Sequence, residues 1–191
     1  MEPNRILWFS TALRPVGLVT GEFQPIALSV DEGGWVHLLV DELVDDPAGG
    51  GQTAGPRALW VLDPQGTRRV RFVLPRPLHE ATAPPVIGYG HRIYLQGGGQ
   101  LLALDPKGSI VWSRPIDADA SAAMVTPNDD VLVAEGKDLV AFDERGQRRV
   151  VHSMPEAITT APVLTTSGDG RLLLASSDTL YCLTPVPQPL V

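Results

Sequence analysis

The sequence contains one cysteine, Cys182. That excludes an intrachain disulfide framework and a cysteine-rich zinc site. Cys182 lies in Leu180-Tyr181-Cys182-Leu183, which reads as a buried strand with an inert core thiol. Basic residues are also short: 15 Lys and Arg stand against 22 Asp and Glu, a net charge of −7. An acidic balance opposes nucleic-acid binding, which needs cations to displace phosphate counterions, and a polybasic contact with anionic lipid. No apolar run approaches the roughly 18–20 residues of a membrane span. Ile6 to Phe9 is too short for a signal peptide, so the chain as given is expected in the cytoplasm. If it is a piece of a longer protein, a periplasmic or extracellular place is open.

Recognisable catalytic patterns are equally scarce. His37, His79, His91 and His152 are scattered without metal-ligand spacing. Asp117-Ala118-Asp119-Ala120-Ser121 begins like a calcium loop, but Ala122 and Asn128 occupy the places of its glycine and its last glutamate. Gly97-Gly98-Gly99 lacks the Gly-Lys-Ser/Thr of a phosphate loop. No Gly-x-Ser-x-Gly elbow is present. No catalytic residue, cofactor or metal is therefore expected.

Glycine and proline are abundant, at 19 and 18 residues, which points to many turns and many short strands. Hydrophobic residues make up 43% and run along the whole length, so the chain is expected to fold rather than remain disordered.

A repeat organises these strands. Leu59-Trp60-Val61-Leu62-Asp63-Pro64-Gln65-Gly66, Leu101-Leu102-Ala103-Leu104-Asp105-Pro106-Lys107-Gly108 and Leu139-Val140-Ala141-Phe142-Asp143-Glu144-Arg145-Gly146 share an apolar strand followed by Asp-x-x-Gly. Leu180-Tyr181-Cys182-Leu183-Thr184-Pro185 is a fourth copy without the Asp and Gly. Leu62, Leu104, Phe142 and Leu183 are then spaced by 42, 38 and 41 residues. Two apolar runs precede each of these strands, and one follows each of the first three. With strands named a to d, the Asp-bearing strand is c. Four short strands about every 40 residues imply four-stranded antiparallel sheets arranged radially. The expected fold is all-β: a single domain over 1–191, with repeats at roughly 26–75, 84–116, 123–155 and 161–184. Arginines on strand d, such as Arg68, Arg69, Arg71, Arg148 and Arg149, suit a solvated outer edge.

Leu102-Ala103-Leu104-Asp105-Pro106-Lys107-Gly108-Ser109-Ile110-Val111-Trp112 closely resembles the PQQ-like repeat of β-propellers. Ala83-Pro84-Pro85-Val86 and Ala161-Pro162-Val163 are similar to that family's approach to strand a. The resemblance runs from about Gln24 and implies a β-propeller. It departs from the quinoprotein enzymes. Trp112 is kept in one unit, with Phe72 and His152 in its place elsewhere, and the adjacent cysteine pair is absent. The closer analogy is to non-enzymatic scaffold propellers. A protein-binding module is the first reading; a small-molecule or carbohydrate-binding propeller, or part of a quinoprotein-like enzyme, is the alternative.

Arg5-Ile6-Leu7-Trp8-Phe9-Ser10 looks like a strand d without its own c. It is expected to complete the last blade beside Thr179–Leu183, where Pro185, Pro187 and Pro189 oppose another strand. A closed ring within one chain is the preferred outcome. A homodimer forming a larger ring, or a segment of a longer propeller, remains open. Two long connections, 11–25 and 41–57, should emerge on one face. The second carries Asp41, Glu42, Asp45 and Asp46, the candidate partner-binding residues.

Overall fold

The computed structural model describes residues 4–9, 15–46, 49, 51–81, 83–164 and 170–184. Strands β1 (Asn4–Phe9) and β2 (Pro15–Gly21) pair with each other. The first sheet is β3 (Phe23–Val30), β4 (Val36–Asp45), β5 (Gln52–Leu62) and β6 (Arg68–Val73). A short 3-10 helix, Arg76–Glu80, leads to the second: β7 (Val86–Ile87), β8 (Ile93–Gly97), β9 (Gln100–Leu104) and β10 (Ile110–Pro115). The third is β11 (Met124–Val125), β12 (Val131–Glu135), β13 (Asp138–Phe142) and β14 (Arg148–Ser153). The fourth has three described strands, β15 (Val163–Leu164), β16 (Leu172–Ala175) and β17 (Leu180–Leu183). Pairing is antiparallel throughout, and spatial order follows chain order in each sheet. The fold is a β-propeller of radial sheets, as the repeat implies.

The Asp-x-x-Gly pattern has a direct physical cause. Asp63 Oδ1 accepts the amides of Gln65 and Thr67, at 3.0 and 2.8 Å. Asp105 does the same for Lys107 and Ser109, and Asp143 for Arg145 and Gln147. The side chain thereby satisfies the donors of a tight c–d turn. The turn closes on a left-handed residue, Gly66, Gly108 or Gly146, with φ of 85°, 84° and 73°.

The central strands of the second and third sheets bury both faces because each of these sheets lies between two others. Leu39, Leu59 and Val61 of the first sheet pack on Ile93, Leu95 and Leu102 of the second. From the opposite face of the second sheet, Tyr94, Leu101 and Ala103 meet Val131, Val133 and Phe142. Leu132, Leu139 and Ala141 then meet Leu172 and Leu174. Alternation with a period of two assigns each side chain to one interface or the next. Full burial of one such aliphatic side chain contributes about 1.5–3 kcal/mol.

Several expectations are corrected. β1 pairs with β2, so among the described residues it does not complete the last blade. Chain entropy favours the local partner: closing a loop of about 170 residues rather than about nine costs on the order of 3 kcal/mol more. The single-chain ring has no closing core contact among the described residues. No described core cluster joins the fourth sheet to the first, and Leu180 on the outward face is 71% exposed. Cys182 shares that face and is exposed rather than buried. Part of the 11–25 connection is strand β2, and most of 41–57 is a ribbon in which β4 and β5 continue past the sheet. Ser10, residues 11–14, 47, 48 and 50, and Pro185, Pro187 and Pro189 lie outside the described residues. The outer arginines are solvated as expected, but they also make ion pairs. Arg69 pairs with Asp63, Arg148 with Glu135 and Arg149 with Asp130.

Candidate functional site

The antiparallel order places two kinds of connection at each end of the sheets. The b–c and d–a segments share one end and the a–b and c–d turns the other. The ribbon belongs to the first end: Arg57 Nη1 donates to Ala81 O at 2.8 Å in the d–a segment.

Two of the four candidate carboxylates face inward at the root of this ribbon. Asp41 lies across from Arg57 and accepts from its Nε and Nη2, at 2.7 and 2.8 Å. Glu42 accepts from Trp60 Nε1 at 2.8 Å and from Arg71 Nε at 2.6 Å. Arg71 beside Glu42 outweighs partial burial and, with the Trp60 indole, holds its carboxyl below the usual range. The other two acids stand at the tip. Asp45 pairs across from Gln52 and is exposed, while the Asp46 amide donates to Gly51 O at 2.7 Å. Val44 beside them is 42% exposed. The outer strand β6 begins its pairing at Ala58↔Val73, so it does not cover Gln52–Pro56.

The opposite end carries a site that the sequence motifs did not mark. Its three described a–b turns share one geometry. Asp31 N donates to Trp35 O, Gly88 N to Arg92 O and Thr126 N to Asp130 O. The fourth residue of each is left-handed: Gly34 at φ 78°, His91 at 56° and Asp129 at 64°. A non-glycine residue in that region is strained by about 1–3 kcal/mol, and such strain clusters at functional positions. Both strained side chains reach back to the preceding sheet. Asp129 Oδ1 accepts Tyr89 N at 2.8 Å, and His91 Nδ1 lies 3.8 Å from Asp31 Oδ2. A Cβ on Gly88 would meet the Asp129 carboxylate, which would have to shift from its bond to Tyr89 N to admit one.

Asp31 is the hub. Its Oδ1 accepts the amides of Gly33 and Trp35, and its Oδ2 lies 3.4 Å from His37 Nε2. Burial works to raise the Asp31 carboxyl, but the Trp35 amide and the His37 contact outweigh it and hold it below the ordinary value. His37 is 3% exposed. Burial pulls its imidazole below the usual pKa, and Asp31 offsets this in part. His37 Nδ1 and the Oγ of its cross-strand neighbour Ser29 have no hydrogen-bond partner among the described residues.

Two cavities flank this hub. One, of about 490 Å³, lies where the leading edges of three sheets converge, between Val30, Ile87 and Ala123, with Tyr89 at its side. The other, of about 440 Å³, lies between the first and second sheets, beside Trp35, His37 and Val70. No group of three His, Cys, Asp or Glu among the described residues is arranged to hold a metal ion. The signal for this end was present in the sequence: Asp31-Glu32-Gly33-Gly34 is a further Asp-x-x-Gly, in an a–b rather than a c–d turn.

No family model and no curated protein matches the sequence. Solved structures do. BBS1N in complex with ARL6DN is 17% identical at a TM-score of 0.67, over 97% of this chain and 59% of that one. Catalytically inactive virginiamycin B lyase from Staphylococcus aureus with quinupristin is 14% identical at 0.58, over 98% and 61%. A gluconolactonase from Xanthomonas campestris is 14% identical at 0.55, over 84% and 56%. The chain thus spans less than two thirds of each neighbour's length. The fold is shared by proteins described as enzymes and by one described in a protein complex, so the likeness identifies the chain as a β-propeller in fold and leaves function to its own residues.

Proposed function

We propose that this chain is a non-catalytic β-propeller of the PQQ-like repeat type that binds a protein partner through its β4–β5 ribbon. The observation that carries this reading is how the ribbon is built. Its root is clamped by the Asp41–Arg57 pair and by Glu42 with Trp60 and Arg71. A clamped hairpin presents its tip with less conformational entropy left to lose on binding, which favours affinity. The tip offers what a protein partner reads: exposed Val44, the acidic Asp45, and the strand edge Gln52–Pro56 beyond β6. An unpaired edge invites an added strand, and the acidic tip suits a basic partner surface. Asp41 and Glu42 act in this reading as the frame, and Asp45 and Asp46 as the contact.

The test replaces residues 45–53 by a two-residue Asn-Gly turn. Captures from the native source with the parent and shortened chains are compared after circular dichroism has shown equal folding. A protein retained by the parent and lost by the shortened chain supports the reading. An identical set of captured proteins overturns it.

A further inference from the structure

The interface between the second and third sheets is filled by an indole. Trp112, seven residues after Asp105, lies 5.8 Å from the Tyr94 ring and 6.1 Å from Phe142. It also covers the turn glycine of the next sheet: a Cβ on Gly146 would meet Trp112 Cδ2 at 2.8 Å. The preceding interface has Val70 in that place, seven residues after Asp63. Val70 stands opposite Val61 as Trp112 stands opposite Ala103, and a Cβ on Gly108 would meet Val70 Cγ1 at 2.6 Å. A valine where the neighbouring interface has a tryptophan leaves the cavity of about 440 Å³ open between the first two sheets.

We propose that this cavity binds a small aromatic carboxylate. Its ring takes the place that the Trp112 indole fills one interface further on, and its anionic arm points to the rim. The volume lies in the range of small-molecule pockets. Trp35 and Ile93 supply apolar walls for a planar ring. The rim carries Lys107, Arg69 and His91, all exposed, against a single lining carboxylate, Asp31. Asp31 already accepts two backbone amides, and Arg69 is held in place by Asp63. Lys107 makes no ion pair among the described residues, so its ammonium is free to meet a ligand anion. The unpaired ammonium of Lys107, at the mouth of an indole-sized gap, favours an anion over a cation of the same shape. The site lies at the opposite end of the sheets from the ribbon, and it stands or falls independently of the protein-binding reading.

Indole-3-acetate is the probe, with neutral indole-3-ethanol and cationic tryptamine as shape controls. Each is titrated into the full chain by calorimetry and by following the Trp35 indole N–H resonance. Indole-3-acetate should saturate and shift that resonance. The neutral control should bind about tenfold more weakly, and tryptamine more weakly still. Lys107→Glu should weaken indole-3-acetate by about tenfold or more, while Lys137→Glu, outside the cavity, changes it less than about twofold. Val70→Trp should abolish binding by filling the gap. The exposed Lys107→Glu keeps the test intact if Val70→Trp does not fold. No saturation up to about 5 mM, equal binding of all three probes, or an unchanged affinity in Lys107→Glu overturns the proposal.

Discussion

Replacing Trp112 by the valine found in the neighbouring interface tests how much the face-to-face packing of sheets contributes. Trp112 is 5% exposed, stacked near Phe142, and donates from Nε1 to Glu144 O at 3.1 Å. Trp112→Val removes roughly 100 Å² of buried side-chain surface, or about 2.5 kcal/mol at about 25 cal/mol per Å². Losing the aromatic pair and the indole hydrogen bond removes about 1 kcal/mol each. These contributions overlap, and relaxation of Tyr94 recovers some of them, so a loss of about 3 kcal/mol is expected. Urea unfolding followed by tryptophan fluorescence and by far-ultraviolet circular dichroism provides the assay. The two signals should separate in the variant, because an array of stacked sheets opens first at its weakened interface. A loss below about 1 kcal/mol with both signals still coincident would refute the packing on which the architecture rests.

Other expectations follow from single contacts. Asp41→Ala leaves Arg57, whose side chain is 14% exposed, without its carboxylate; a loss of about 1–3 kcal/mol is expected, and a double-mutant cycle with Arg57→Ala should return a coupling of about 1 kcal/mol. His37→Leu, which copies Leu132 in the matching register of the third sheet, should flatten the acid side of the stability profile. The folded-state pKa of His37 is depressed, so the unfolded chain binds the proton more readily; stability is full above the unfolded value near 6.5 and falls as pH drops through it. Melting temperatures at about pH 7.5 and pH 5.5 should therefore differ less in the variant than in the parent. Gly88→Ala should destabilise by about 1 kcal/mol, the worth of the displaced Asp129–Tyr89 hydrogen bond, and the loss should shrink in an Asp129→Gly background, where no carboxylate is left to displace, as read in a thermal melt.

The parts of this fold that were legible in the sequence are those set by local chemistry. Asp63, Asp105 and Asp143 each close their own turn through amides two and four residues ahead, so the pattern is readable without knowledge of any neighbour. The two-faced burial of strands such as Val131–Glu135 is likewise written in continuous apolar runs. Partner choice between strands was less legible. The apolar run of β1 fits any sheet edge, and the strand it pairs with is β2, its nearest neighbour in the chain, as loop-closure entropy favours. The acidic stretch from Asp41 looked like a loop because its partners Arg57, Trp60 and Arg71 lie 16 to 29 residues away. The equivalence of Val70 with Trp112 was obscured by aromatic character: Phe72 resembles tryptophan more, but counting seven residues from each aspartate leads to Val70. The Asp31, His37 and His91 cluster joins three segments of two sheets; the Asp-x-x-Gly at Asp31 marks its turn, but no spacing announces the two histidines.

The most direct check of the central claim is a set of nuclear Overhauser contacts between sheets far apart in sequence. Radial sheets stacked in chain order require the Trp112 indole to lie against Phe142 and the Gly146 turn, and the Val70 methyls to lie against Gly108. Cross-peaks from the Trp112 ring to the Gly146 α-protons and the Phe142 ring, together with Val70 to Gly108, are the expected result. A Trp112 side chain that shows none of them and is quenched freely by acrylamide would contradict the fold.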